Sequence, residues 1–266
     1  MILIILFSAL TLFIFMHVAF LVGSALKNNG VVDSFYGLGY VVVAWTSLIL
    51  MGSFSLRHII TTILVSIWGL RLFFYVTIRN WGEPEDYRYQ AIRKSYGDKV
   101  LFKSYWKIYL FQGIIIFLVG FPALFINASE TSPIINLFEL SALTLWVGTI
   151  IWIIGFYFES VGDHQLRKFK KDPENKGKVM DQGLWKYTQH PNYFGEVVMW
   201  WAIFIIALGV PWGFITIFGP ILINFMIIKV SGVKLLNKRY SKDEKYADYK
   251  RRTSAFIPWF PKKKKE

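Results

Sequence analysis

A chain of 266 residues that is 55% hydrophobic and 18% aromatic, with a mean hydropathy of +0.42, is too apolar for a soluble domain of that size. Its net charge of +13 at pH 7 argues for membrane topology and against nucleic acid, because Lys and Arg concentrate in three segments between and after apolar runs. Cysteine is absent, which excludes disulfides, thiolate catalysis and Cys-ligated metal together.

Crossing a bilayer takes about 20 apolar residues per helix, so the length accommodates six or seven spans with loops and a tail. The expected architecture is an all-α polytopic membrane helical bundle of about seven transmembrane helices, a single membrane domain over residues 1–266. The opening MILIILFSALTLFIFM lacks a basic n-region and is too long for a cleavable signal, so it reads as a retained first helix from about Ile2 to Leu26. Lys27-Asn28-Asn29-Gly30 breaks it. Span two, about Val31 to Met51, carries Asp33 and Tyr36 near its entrance. A carboxylate there needs a partner or a water-filled cavity, and serves as a helix cap or faces a substrate.

Span three, about His58 to Ile78, places Arg71, Tyr75 and Arg79 at intervals of four, on one face. Arg79 snorkels to the interface, whereas Arg71 is deep enough for an internal role. The stretch from Asn80 to Trp106 is polar but too aromatic for a disordered linker, and is expected to be ordered. Span four covers about Ile108 to Asn127 and span five about Leu137 to Phe158. Span six, about Gly195 to Leu208, follows the HPNY entry, and span seven runs to about Val230. The tail after Ser231 is strongly basic and closes on FIPWFPKKKKE.

Segments 79–107, 159–190 and 229–266 are basic, while 127–136 and 209–213 contain no Lys or Arg. Cytoplasmic loops are enriched in those residues, so the first, third and fifth connections and the tail lie inside, with the N-terminus outside and the C-terminus cytoplasmic. Only Arg57, at the edge of span three, weakens the bias.

The chemistry concentrates between Gly183 and Trp201, GLWKYTQHPNYFGEVVMWW, which holds His190, Asn192 and Glu196 at the mouth of a span. Pro191 suits the first turn of the helix that follows, and the unpaired N–H groups of that turn favour an anion just outside. Upstream, Glu159, Asp163, Arg167 and Lys170 are spaced by four, four and three, along one face if span five continues as a helix. Carboxylates on that face accept bonds from ribose hydroxyls and cations pair with phosphate; the plainer reading is salt bridging along a solvated helix end. No G-x-G-x-x-G fingerprint and no P-loop occurs. The four histidines, His17, His58, His164 and His190, are scattered, and no metal is expected.

FESVGDHQLRKFKKDPENKGKVMDQGLWKYTQHPNYFGE, then VSGVKLL and ADYKRRTSAFIPWFP, resemble the steroid 5α-reductase C-terminal domain family, in its bacterial branch of uncharacterised membrane proteins. The likeness extends upstream to VVDSFYG, WGLRL and GEPEDYRY. It implies seven transmembrane helices, with NADPH held by the last three and their cytoplasmic loops (residues 137–266), and a lipid-like substrate among the first four (1–127). On that pattern Asp163, Arg167, Lys170, Asn192 and Glu196 match cofactor-contacting positions, and Trp185, Tyr187 and His190 line the same site. Lys238, Arg239, Tyr246 and Tyr249 match, at shifted spacing, the basic and tyrosine positions that close over the cofactor, and Arg71 and Tyr75 match an arginine and a tyrosine on the third helix. Two positions depart: Gln189 stands where the family usually has Arg before His-Pro, and Trp68 where the steroid reductases place a substrate-binding tyrosine.

The expected activity is therefore NADPH-dependent reduction of a carbon–carbon double bond conjugated to a carbonyl, in a sterol-like or other membrane lipid. Asp33 when protonated, Tyr36 and Tyr75 are the candidates for polarising the carbonyl. Two alternatives remain open: an S-adenosylmethionine-dependent methyltransferase acting on a lipid or prenylated substrate, since isoprenylcysteine carboxyl methyltransferases share the His-Pro-x-Tyr entry, and a non-catalytic lipid-binding scaffold. The branch resembled implies a bacterial inner membrane, with membrane lipids as partners.

Overall fold

A computed structural model describes residues 1–130, 139–232 and 243–262. Among these the secondary structure is helical, with no strand and one isolated bridge between Thr188 and Ser254. Six helical stretches are long and apolar enough to cross a membrane, and a seventh apolar helix, Pro191–Ala207, has 17 residues. The chain is an integral membrane protein with an all-α polytopic fold, as its composition requires. It divides into two compact units, one of Met1–Leu145 with Ile206–Gly219, the other of Trp146–Ile205 with Pro220–Glu266.

In the first unit, α1 (Ile2–Ala25), α2 (Val31–Met51) and α3 (Leu56–Asn80) are the first three spans. A Cβ added at Gly37 of α2 would press on the carbonyl oxygen of Gly69 in α3, and one at Gly69 on that of Gly37. Backbones meet this closely only where both residues are small, the usual device of helix pairs that lack a hydrophobic drive in lipid. The expected ordered loop is α4 (Tyr87–Tyr96), capped by Asp86, leading to the short α5 (Val100–Ser104). Span four then continues through a π-helical turn at Tyr105–Leu110 into α6 (Phe111–Val119) and α7 (Phe121–Asn127). The break between α6 and α7 falls just before Pro122, which has no N–H to carry the helix ladder on.

Several of the polar groups this unit buries are held by internal hydrogen bonds. Asn127 Nδ2 donates to the Ala44 carbonyl and Thr62 Oγ1, both at 2.9 Å. The ring nitrogens of His58 lie 2.9 and 3.0 Å from the carbonyls of Ser53 and Ser129. Arg57, the one apparent offence against the charge bias, is not a loop residue at all. It is 3% exposed and donates to the Ile206 carbonyl at 2.6 Å, to the Ser141 carbonyl and to Thr144 Oγ1. Ile206 is the penultimate residue of the helix Pro191–Ala207, so the guanidinium neutralises carbonyls that have no intrahelical partner and sits at the negative end of a helix dipole.

α8 (Leu140–Lys171), which belongs to the second unit from Trp146 onward, begins close to the expected start of span five and runs on well beyond Phe158 without interruption. The row Glu159, Asp163, Arg167 and Lys170 therefore does lie on one continuous helix. α9 (Pro191–Ala207) starts four residues before the expected Gly195, because Pro191 takes its first position. A Cβ on Gly195 would meet the Gly155 carbonyl oxygen, so α8 and α9 cross in contact. Beyond α10 (Phe218–Phe225) and a π-helical turn at Met226–Ser231, the described tail carries α11 (Glu244–Arg252), capped by Asp243.

Candidate functional site

The second unit holds a cavity of about 540 Å³. The last turns of α8 supply Phe169, Lys170 and Lys171, and the chain then turns at Asp172, whose Oδ1 accepts from Glu174 N at 2.9 Å. It doubles back through Gly177, at φ +76°, where a β-carbon would be strained. Lys176 and Lys178 flank that glycine and also line the cavity. The returning strand of loop is pinned to α8: Leu184 N donates to Gln165 Oε1 at 2.9 Å, and Trp185 Nε1 to the Gly162 carbonyl at 3.0 Å.

Lys170, Lys171, Lys176 and Lys178 thus line one cavity together with Asp172 and Asp243, and each of these two carboxylates is occupied as a helix cap. The excess charge calls for an anion.

His190 forms part of the wall and is 1% exposed. Neither of its ring nitrogens has a hydrogen-bond partner among the described residues. The ring lies nearly parallel to that of Tyr193, 5.6 Å between centroids. Burial, and secondarily Lys250, push its pKa down to about 4, so the imidazole is neutral at pH 7 and offers one donor and one acceptor. A buried polar group with no partner costs of order 1–3 kcal/mol, which a bound polar ligand would recover.

The tail closes this wall from outside. Tyr249 Oη donates to the Trp185 carbonyl at 2.6 Å, and Gln189 Nε2 to the Thr253 carbonyl at 2.8 Å. Gln189 N donates to the Ser254 carbonyl at 2.9 Å and Thr188 Oγ1 to the Phe256 carbonyl at 2.7 Å. Arg252 Nη2 reaches Asp181 at 2.5 Å. The position occupied by Gln189 in place of arginine is therefore spent on holding the tail.

Of the residues singled out in the sequence, Lys170, Trp185, His190, Tyr246 and Tyr249 meet on this cavity. Asp163 and Asn192 meet each other, Asn192 Nδ2 donating to Asp163 Oδ1 at 3.0 Å, but neither lines it. Arg167, Tyr187 and Glu196 also lie off its wall; the Tyr187 carbonyl accepts from Trp259 N at 2.9 Å. Lys238 and Arg239 fall outside the described residues. Gln189, noted in the sequence as a departure, also lines the cavity; Lys171, Lys176 and Lys178 went unnoticed, although the run KKDPENKGK, with a glycine between two lysines, was the available signal. Among the described residues no group of three His, Asp or Glu is placed to hold a metal.

In the first unit, Asp33 accepts from Tyr89 Oη at 2.6 Å and lies 3.6 Å from Arg88 Nη2. Tyr89 and Arg88 are held there because Glu85 anchors their loop, accepting from Asn29 N at 2.6 Å and from Arg93 at 3.0 Å. Neither had been singled out, since nothing local in GEPEDYRYQ says which carboxylate it will meet. Tyr36 Oη accepts from Tyr40 Oη at 2.7 Å, and Tyr40 meets Trp68 edge-on at 5.2 Å, so the tryptophan at the departing position is 2% exposed and packed. The guanidinium groups of Arg71 and Arg79 lie 5.3 and 5.8 Å from the Tyr75 ring centroid, so the three do share a face.

The model of a family described as a protein of unknown function (DUF1295) matches residues 19–253. Curated relatives named 3-oxo-5-alpha-steroid 4-dehydrogenase 1 are similar over a shorter stretch: the Bos taurus protein is 42% identical over 53 residues, 20% of this chain and 21% of the relative. The Mus musculus protein is 38% identical over 53 residues, with the same shares, and the Homo sapiens protein 33% identical over 54 residues, again 20% and 21%. The chain thus spans about a fifth of the length of these relatives. They bear out the resemblance to steroid 5α-reductases drawn from the motifs. No solved structure matches the chain significantly.

Proposed function

The chain belongs to the DUF1295 family, and we propose that it is an NADPH-dependent membrane reductase acting on a carbon–carbon double bond conjugated to a carbonyl in a lipid-like substrate. The observation that carries this reading is the cavity of the second unit, where four lysines surround a buried imidazole with neither nitrogen committed. Those residues fit a phosphorylated nucleotide. Lys176 and Lys178, on the exposed turn, suit a terminal phosphate such as the one that distinguishes NADPH from NADH, and Lys170 and Lys171 suit a pyrophosphate. Trp185, Tyr246 and Tyr249 offer flat apolar faces to rings. His190 hydrogen-bonds an amide or hydroxyl group, and its neutrality at pH 7 lets it donate and accept at once.

Such a cofactor, when bound, supplies hydride. The chain's own task on the substrate side is to hold a hydrogen-bond donor against the carbonyl oxygen, where negative charge develops as the double bond is reduced. Asp33, Tyr36, Arg71 and Tyr75 are the residues proposed for that side, and Tyr89, which gives its hydroxyl hydrogen to Asp33 Oδ1, positions that carboxyl group.

Titrating the purified protein with NADPH, NADH and S-adenosylmethionine while following thermal unfolding tests the reading. Stabilisation grows as RT ln(1 + [L]/Kd), so binding is visible in excess ligand. NADPH is expected to raise Tm more than NADH. A response to S-adenosylmethionine alone would establish the methyltransferase alternative, and no response to any of the three the scaffold.

A further inference from the structure

The segment that closes the cavity wall has a second face, and that face is apolar. Residues 187–189 lead directly into α9, whose sequence is apolar from Val197 onward. The tail is tied to them by Trp259 N to the Tyr187 carbonyl and by Gln189 N to the Ser254 carbonyl, both 2.9 Å. The Phe256 ring lies 6.1 Å from that of Phe194, in the first turn of α9. Residues 254–260 are therefore held level with the N-terminus of an apolar helix.

With their backbone fixed in this way, three large apolar side chains within four residues point outward: Ile257 is 66% exposed, Trp259 71% and Phe260 76%. Pro258 and Pro261 keep the segment from pairing onward as a strand. Lys186, Lys250 and Lys262, on the segment and on the stretches bonded to it, are exposed. The neighbouring carboxylates do not offset them, since Asp181 and Asp248 are paired with Arg252 and Arg251.

We propose that residues 256–262, with Lys186 and Lys250, form an interfacial anchor that takes anionic phospholipid of the membrane the protein spans. Tryptophan and phenylalanine rings settle at the headgroup boundary, where an apolar body and a wet edge are both accommodated, and lysines beside them gain from a negative surface. This assignment stands apart from the nucleotide reading and concerns a face the cavity does not use.

The absence of cysteine makes the test direct, because Ile257→Cys provides a single labelling site. A nitroxide is attached there in full-length protein, which is placed in nanodiscs of phosphatidylcholine alone or mixed with phosphatidylglycerol. Collisions with lipid-dissolved oxygen and with an aqueous nickel chelate then report immersion, with Glu174→Cys in the exposed loop as the aqueous control. The oxygen-to-nickel collision ratio at position 257 is expected to exceed the control several-fold in the mixed bilayer. It should fall back when Lys186, Lys250 and Lys262 are all replaced by Gln. A probe as wet as the control in both bilayers overturns the anchor, and immersion indifferent to phosphatidylglycerol and to the three replacements overturns its anionic lipid specificity.

Discussion

The Tyr249 hydroxyl donates to the Trp185 carbonyl at 2.6 Å, joining the tail helix to the loop that carries the cavity wall across 64 residues of sequence. Trp185 is in turn pinned to α8 through Gly162, so helix, loop and tail are locked in series. The wall keeps its shape only while that series is intact.

Tyr249→Phe removes the donor and leaves a buried carbonyl to find another partner. A loss of about 1 kcal/mol of stability is expected, visible as a lower Tm in detergent. Burial, reinforced by Tyr246 and Asp181, raises the phenol pKa above its ordinary value. A raised folded-state pKa means the contribution is complete below the unfolded value near 10 and is lost only as pH climbs through the folded one. Unfolding followed between pH 8 and pH 10 should therefore show the clamp undiminished.

His190 has the opposite sign. Its folded pKa of about 4 lies below the ordinary value of 6.5, so the unfolded chain binds the proton more readily between those limits. Stability from this group is complete above about pH 6.5 and declines as pH falls towards 4, by about 3 kcal/mol in all. Denaturant titrations across that window should show the slope in the native chain and a flatter profile in His190→Gln.

Charge reversal separates the nucleotide readings. Lys176→Glu and Lys178→Glu lie on an exposed turn and should fold normally, yet each is expected to weaken NADPH about tenfold if it meets a phosphate. Binding of S-adenosylmethionine, which has no phosphate, would be far less affected. Isothermal titration of both variants with both ligands measures the contrast.

Asp33→Asn keeps the shape of the side chain but removes the carboxyl group that Tyr89 positions. Turnover of an enone lipid is expected to fall by roughly a hundredfold, the scale of a lost donor at a developing oxyanion. NADPH affinity should stay unchanged, because the proposed nucleotide residues belong to the other unit. Tyr89→Phe should reproduce the loss of turnover.

Much of this protein was legible in its residues because the determinants are local. Some twenty consecutive apolar residues can only be satisfied as a helix in lipid, so six of the spans announced themselves, and a spacing of four, four and three placed Glu159, Asp163, Arg167 and Lys170 on one face. What that face meets is another matter. Helix rotation and the return of a loop decided that Asp163 bonds Asn192 while Lys170 joins Lys176, Lys178 and His190 around a cavity. The same holds for Arg57, which a count of loop charges misplaces because its partners are carbonyls contributed from far along the chain. Periodicity records which side of a helix is polar; only the tertiary structure chooses the partner, since hydrogen bonds in a low-dielectric interior are settled by three-dimensional proximity and not by neighbourhood in sequence.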